Sequence, residues 1–218
     1  MLLIPAILPT SAEAHHFSCQ ASALRLNQLN AVVVDPVVAN PADDPCETDS
    51  RSLLSITGLL GVSAGAVSAQ TQNAPNPGPV WAKSDVADLK LLNVLGLVNV
   101  TAGVLEAAAQ ATPVHGTCVL SGWSTVASAN ILGRQIATLN AFLHLPVLNV
   151  LGLRVADLYL NATLGGSHPS VGSPDPNKIV QRALWLQVNN PLGLLGDVAD
   201  VVAGEAIVDL IGNPCGGP

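Results

Sequence analysis

The stretch that decides the fold is LLNVLGLVNVTAGVLEAAAQ, which runs from Leu91 to Gln110. An earlier segment, LLSITGLLGVSAGAVSAQTQ from Leu53 to Gln72, matches it at nine of twenty positions without a gap. The hexapeptide LNVLGL occurs at Leu92–Leu97 and again at Leu148–Leu153. A repeated apolar unit of this kind indicates how a chain packs rather than what chemistry it performs.

Apolar residues alternate along both copies with the period of two that is typical of a β-strand. In each copy the alternation slips by one residue, between Ala66 and Val67 in the first copy and between Val104 and Leu105 in the second. A slip in a period of two is what a β-bulge produces. The two copies therefore predict bulged strands of similar shape, with Leu91–Gln110 at the centre of a sheet.

The rest of the chain predicts further strands separated by turns rich in Pro and Gly. Helical segments do not alternate with these strands, which excludes a doubly wound α/β fold. The sequence thus predicts an all-β, antiparallel, sandwich-like domain with two disulfides, and a β-solenoid or barrel is the alternative. Besides the two copies, the predicted strands lie within 19–38, 86–90, 124–130, 134–139, 147–163, 179–188 and 197–210.

The composition excludes several classes of partner. Of the 218 residues, 49% are hydrophobic and only 11% are charged, but no stretch has the 20 or so consecutive apolar residues of a spanning helix. The net charge is −7, and the eight basic residues are spread singly along the chain. We expect no nucleic-acid partner, because nothing here would neutralise a run of phosphates, and no transmembrane span.

The N-terminus and the cysteines predict export. Residues 1–14 consist of a short apolar region followed by Ala12-Glu13-Ala14, and we interpret them as a partial signal peptide whose native start codon lies upstream. Residues 15–218 would then form a single exported domain. Four cysteines without a C-x-x-C pair indicate structural disulfides. Of the three possible pairings we favour Cys19–Cys46, which closes a loop rich in Pro and Asp, together with Cys118–Cys215.

The order of these features resembles the choice-of-anchor P family of exported actinobacterial proteins. The resemblance begins at Ser18-Cys19-Gln20-Ala21-Ser22-Ala23-Leu24-Arg25 and continues through Cys46 to Val86-Ala87-Asp88-Leu89 and Cys118. It ends with Ala183-Leu184-Trp185-Leu186-Gln187-Val188 and the segment from Asp197 to Cys215. The family implies a protein of the cell surface or the medium without a defined biochemical activity, so it supplies no catalytic residues. The chain stops at Pro218 without an LPxTG-type signal or an apolar tail, so covalent attachment to the wall is not expected.

Two patterns suggest chemistry. The acidic residues Asp43, Asp44, Glu47 and Asp49 are weak calcium candidates, because calcium prefers clustered carboxylates, although they lack EF-hand spacing. Gly61-Val62-Ser63-Ala64-Gly65 is a G-x-S-x-G sequence, followed by Asp157 and His168 in the order of an α/β-hydrolase triad. That motif requires a helix after the serine, whereas the alternation here predicts strand. We therefore expect no catalytic site, no cofactor and no enzymatic activity.

Three tryptophans, Trp81, Trp123 and Trp185, are candidates for a carbohydrate-binding face, or simply for core and edge anchors. The sequence as a whole predicts a secreted or cell-surface structural or interaction module, with cell-wall or extracellular components as partners. A carbohydrate- or calcium-binding module is the alternative, and a secreted serine hydrolase is the weakest hypothesis.

Overall fold

The computed structural model describes residues 15–28, 31–41, 45–59, 61–73, 78–94, 98–131, 133–150, 153–189, 197–212 and 214–215. The predicted signal peptide and the acidic residues Asp43 and Asp44 lie outside this part of the chain. All regular elements within it are strands: β1 His16–Gln28, β2 Ala31–Val34, β3 Val38–Ala39, β4 Asp49–Leu53, β5 Ile56–Leu59, β6 Val62–Ala64, β7 Val67–Gln72, β8 Val80–Val94, β9 Val98–Val114, β10 Thr117–Ile131, β11 Arg134–Leu139, β12 Leu143–Val150, β13 Leu153–Gly166, β14 Asp175–Asn189 and β15 Asp197–Ile211.

The strands form two separate antiparallel sheets that pack face to face, which confirms the predicted sandwich. The first sheet has the order β12-β13-β14-β15-β1-β2, with β3 also paired to β1. The second sheet has the order β11-β10-β9-β8-β6-β5, with β7 paired to both β8 and β4. No helix among the described residues is long and apolar enough to cross a membrane.

Both predicted disulfides are confirmed. Cys19 on β1 is bonded to Cys46, with the two Cα atoms 4.8 Å apart. Cys118 on β10 is bonded to Cys215, with a Cα–Cα distance of 5.3 Å. The second bond ties the second sheet to the segment that follows the last strand of the first sheet, so the two layers are joined covalently.

The core is built from Ala, Val and Leu side chains, and its pattern contains the predicted slip in phase. On β9, the buried residues Val100 and Ala102 are followed by Leu105 and Ala107. The same slip occurs at the matching level of neighbouring strands in both sheets. At this level, consecutive core-facing residues are one or three positions apart instead of two. They are Val86 and Leu89 on β8, Val126 and Ala129 on β10, Ala183 and Leu184 on β14, Ala203 and Ala206 on β15, and Ala23 and Leu24 on β1.

The cause of the slip is not an inserted residue, so the prediction of β-bulges is wrong on this point. The pairs Ala87↔Val104 and Leu89↔Ala102 keep the same register on either side of it. Instead, every second strand carries a residue in the left-handed region at this level, at Asp88, Ser128, Asn161 and Gly204. A residue in the left-handed region reverses the next peptide unit, so the core-facing residues on either side of it are no longer two positions apart. The neighbouring strand shows the same change of phase.

Close approach of the strands explains two glycines in this row. A Cβ atom on Gly103 would lie 3.0 Å from Cβ of Ser128 on the neighbouring strand. Gly204 has a φ of +71°, and a Cβ there would lie 3.1 Å from Cβ of Ala183. Both positions need the smallest residue, since a side chain would push adjacent strands apart.

The repeated stretches turn out to be hairpins, which corrects two predicted strand bounds. Val94 pairs with Val98, so Leu91–Gln110 contains the end of β8, a connection and the start of β9. Val150 pairs with Leu153, so the predicted strand over 147–163 is divided into β12 and β13. The described parts of the two LNVLGL hexapeptides thus lie at the ends of paired strands. As predicted, β9 lies inside the second sheet, between β8 and β10.

Candidate functional site

The outward face of the second sheet carries an open cleft between two tryptophans. Trp81 lies on β8 and Trp123 on β10, and both point away from the core because they alternate with the buried residues Val80, Ala82 and Ser124. The side chain of Trp123 is 51% exposed, which is unusual for so large an aromatic residue. The cleft has a volume of about 190 Å³.

Strand register fixes how this cleft is built. Across β8, β9 and β10, Trp81 is paired with Gln110 and Gln110 with Ser121. In the adjacent row, Lys83 is paired with Ala108 and Ala108 with Trp123. The two indole rings therefore lie on a diagonal across β9, and the methyl group of Ala108 leaves open space between them.

Polar groups border the cleft beside the rings. Gln110 and Ser121 line it with neutral donors and acceptors, and Lys83 lines it with an ammonium group. Lys83 forms ion pairs with Glu106 and, at 3.5 Å, with Asp85. The hydrogen bond to Glu106 is the main reason that the pKa of Lys83 is raised above its usual value. The ammonium therefore stays charged and positioned, and the three side chains together carry a net charge of −1.

The outward face of the first sheet is also rich in aromatic and charged residues, but the central ones, Trp185 and Glu205, are buried. The rings of His144, Tyr159 and Trp185 stack in sequence, with centroids 4.5 Å and 4.8 Å apart. Arg182 lies over Trp185, with its guanidinium carbon 4.4 Å from the ring centroid. Trp185 is only 9% exposed and donates its indole N–H to Asp200. These contacts form a second small core on the outside of the sheet.

A buried carboxylate organises the charges on this face. Glu205 is 1% exposed and accepts hydrogen bonds from Arg25 at 2.7 Å and from Arg182 at 2.6 Å. The hydroxyl of Ser22 donates to Asp35 at 2.7 Å, yet burial dominates and raises the pKa of Asp35 to about 6. Burial likewise raises the pKa of Asp200.

Shifted pKa values often mark functional sites. Here the central groups, Glu205 and Trp185, are inaccessible to a ligand, so the cluster acts as a structural element.

The predicted calcium candidates are only partly described. Glu47 is exposed, and Asp49 accepts hydrogen bonds from the backbone N–H of Asn40 at 3.1 Å and from Ser50 at 2.8 Å. The bond from Asn40 is the main reason that the pKa of Asp49 is lowered. Its carboxylate thus holds the loop next to the Cys19–Cys46 bond. Within the described ranges, no group of three or more His, Cys, Asp or Glu residues is placed to hold a metal ion.

The residues of the G-x-S-x-G pattern are not brought together. Ser63 lies on β6 in the second sheet, where it pairs with Lys90. Asp157 lies on β13 in the first sheet, where its Oδ1 is hydrogen-bonded to Nε2 of His144 at 2.8 Å rather than to His168. His168 is exposed in the connection between β13 and β14. Since a strand rather than a helix follows Ser63 after a short bend, the nucleophile elbow that the motif requires does not form.

Sequence reasoning grouped the three tryptophans as one possible face, and the structure separates them. Trp81 and Trp123 share the cleft on the second sheet, whereas Trp185 is buried on the first. The Arg25–Glu205–Arg182 cluster was missed, because its members are far apart in the chain and share no motif. A faint signal existed in the single charges within otherwise apolar strands, since such a charge is retained only when it is paired.

The chain matches no protein-family model, and no curated protein or solved structure is significantly similar to it.

Proposed function

We propose that the protein is an exported, non-enzymatic binding module that acts at the cell surface or in the surrounding medium, and that it binds carbohydrate in the cleft between Trp81 and Trp123. The observation that carries the proposal is the half-exposed Trp123, which lines an open cleft together with Trp81 on the outward face of the sheet. Aromatic rings with an exposed face favour the C–H-rich face of a sugar ring, because both surfaces are flat and weakly polar.

The surroundings of the rings fit the same ligand class. Ligand sites typically combine apolar walls with a few polar groups that fix orientation. Gln110 and Ser121 supply neutral donors and acceptors of the type that sugar hydroxyl groups require, while Ala108 keeps the floor low. A structural or interaction role at the cell surface requires no chemical groups beyond these apolar walls and neutral polar side chains.

The two disulfides are compatible with an oxidising, extracellular location. The resemblance to the choice-of-anchor P family supports the same setting.

A glycan array probed with the oxidised full chain tests the proposal. We expect the wild type to bind a subset of glycans and Trp123→Ala to lose that binding. Val104→Ala is the matched control, since Val104 lies on the same face with similar exposure, 48%, but outside the cleft. If no glycan is retained, or if Trp123→Ala binds as well as the control, the proposal is wrong.

A further inference from the structure

We infer that the ligand of this cleft is an uncharged oligosaccharide of at least two sugar units, which crosses β8, β9 and β10 obliquely with one unit stacked on Trp81 and another on Trp123. This inference rests on the proposed function and specifies its ligand. It follows from the separation of the rings, the floor between them and the charge beside them.

The separation comes from strand register. Trp81 and Trp123 are two strands apart, which is about 10 Å, and are offset by one two-residue step, which is about 7 Å. Their Cα atoms are therefore roughly 12 Å apart across the sheet face. A single pyranose ring is shorter than this Cα separation, so one sugar unit is too short to cover both tryptophan positions. A chain of linked units can do so.

The floor between the rings allows a continuous chain. The diagonal from Trp81 to Trp123 passes between Ala108 and Gln110 on β9, and the methyl group of Ala108 does not obstruct it. Gln110 lies beside the path, where its amide can donate to one hydroxyl group and accept from another. A longer side chain in place of Ala108 would fill the path without altering either stacking ring.

The charge beside this path selects against acidic sugars. Lys83 is neutralised by its partners Asp85 and Glu106, which leaves the cluster with a net charge of −1. The protein as a whole carries a charge of −7, which adds a weak long-range repulsion of anions. A uronic-acid or sulfated chain would therefore bind more weakly than its uncharged counterpart, whereas an amine-bearing sugar would not be disfavoured.

The test is calorimetric titration of the oxidised full chain with β-1,4-linked glucose and N-acetylglucosamine oligomers of increasing length, and with oligogalacturonate as the acidic counterpart. We expect the affinity to rise steeply once the oligomer spans both rings and to change little beyond that length. Loss of either ring, in Trp81→Ala or Trp123→Ala, should weaken the long oligomers by about 3- to 10-fold and remove the length dependence.

Ala108→Leu is a second variant that leaves both rings in place. It should weaken long oligomers while leaving the shortest binding ligands unaffected. Melting temperatures of all variants are measured alongside, so that an unfolded Trp81→Ala protein does not decide the result. Binding that is independent of oligomer length and of Ala108, or tighter binding of oligogalacturonate, would overturn this inference but leave a carbohydrate-binding function intact. Absence of all glycan binding would overturn both.

Discussion

Replacing the buried carboxylate in Glu205→Gln should destabilise the fold severely. Glu205 is held between two arginines that are themselves largely covered, with side-chain exposures of 16% for Arg25 and 13% for Arg182. Removing one partner from a buried ion pair costs about 3–5 kcal/mol, because the remaining charge is left uncompensated. Glutamine keeps the shape and one acceptor oxygen, so we expect a loss near the lower end, about 3 kcal/mol.

The assays are equilibrium unfolding in urea and a thermal melt, both at pH 7 with the two disulfides intact. For a chain of this length, a loss of about 3 kcal/mol lowers the melting temperature by about 6–12 °C. The loss should persist in high salt, since a covered cluster is poorly screened. Glu47→Gln is the matched control, because Glu47 is exposed, and its effect should stay within about 0.5 kcal/mol. A Glu205→Gln protein within 1 kcal/mol of the wild type would refute the view that this carboxylate holds the outer face together.

Three other predictions concern stability. Because the pKa of Asp35 is raised to about 6, this group stabilises the fold below its unfolded pKa, near 4, and that stabilisation is lost as the pH rises through about 6. Asp35→Asn should therefore be more stable than the wild type at pH 7, by about 1–2 kcal/mol after allowance for solvent screening. Equal melting temperatures at pH 7 would contradict this. Gln181→Leu should cost about 1–3 kcal/mol in urea unfolding, because the buried hydroxyl of Ser124 loses its donor at 2.7 Å, and an unchanged midpoint would count against it. Replacing Cys118 and Cys215 by serine should destabilise the fold by about 1 kcal/mol more than replacing Cys19 and Cys46, since the first bond closes a loop of 97 residues and the second a loop of 27. The reverse order in thermal melts would show that loop entropy is not the controlling factor.

Hairpin ends were harder to predict than strands. The run Leu91–Val98 reads as continuous apolar strand, because its only turn-forming residues are one Asn and one Gly. The chain reverses there all the same, since β8 and β9 then bury their apolar faces side by side. The same misreading affected Leu148–Leu153, whereas the connection between the strands that end and begin at Ile131 and Arg134 was correctly predicted.

The candidate cleft was only partly predictable. An exposed tryptophan and a core tryptophan look alike in a sequence, and Trp185 differs from Trp123 only through its neighbours. Trp185 is covered because the adjacent strands supply Tyr159 and Asp200 and its own strand supplies Arg182, whereas Trp123 pairs with Ala108, whose methyl group covers nothing. Which strands are adjacent is a property of topology, and no local pattern contains it.

By itself, the sequence determined the strand class and the slip in phase, because both depend on local alternation. It also favoured the correct one of three possible disulfide pairings. Only the tertiary structure decided which residues adopt the left-handed conformation at the slip and which side chains meet on the two outer faces. Pairing of β1 with β15 brings Arg25 to Glu205, which is 180 residues away in the chain. Pairing of β9 with β8 and β10 places two tryptophans on one diagonal of the sheet. Such contacts arise from strand order, which is selected by burial of the whole core rather than by any one segment.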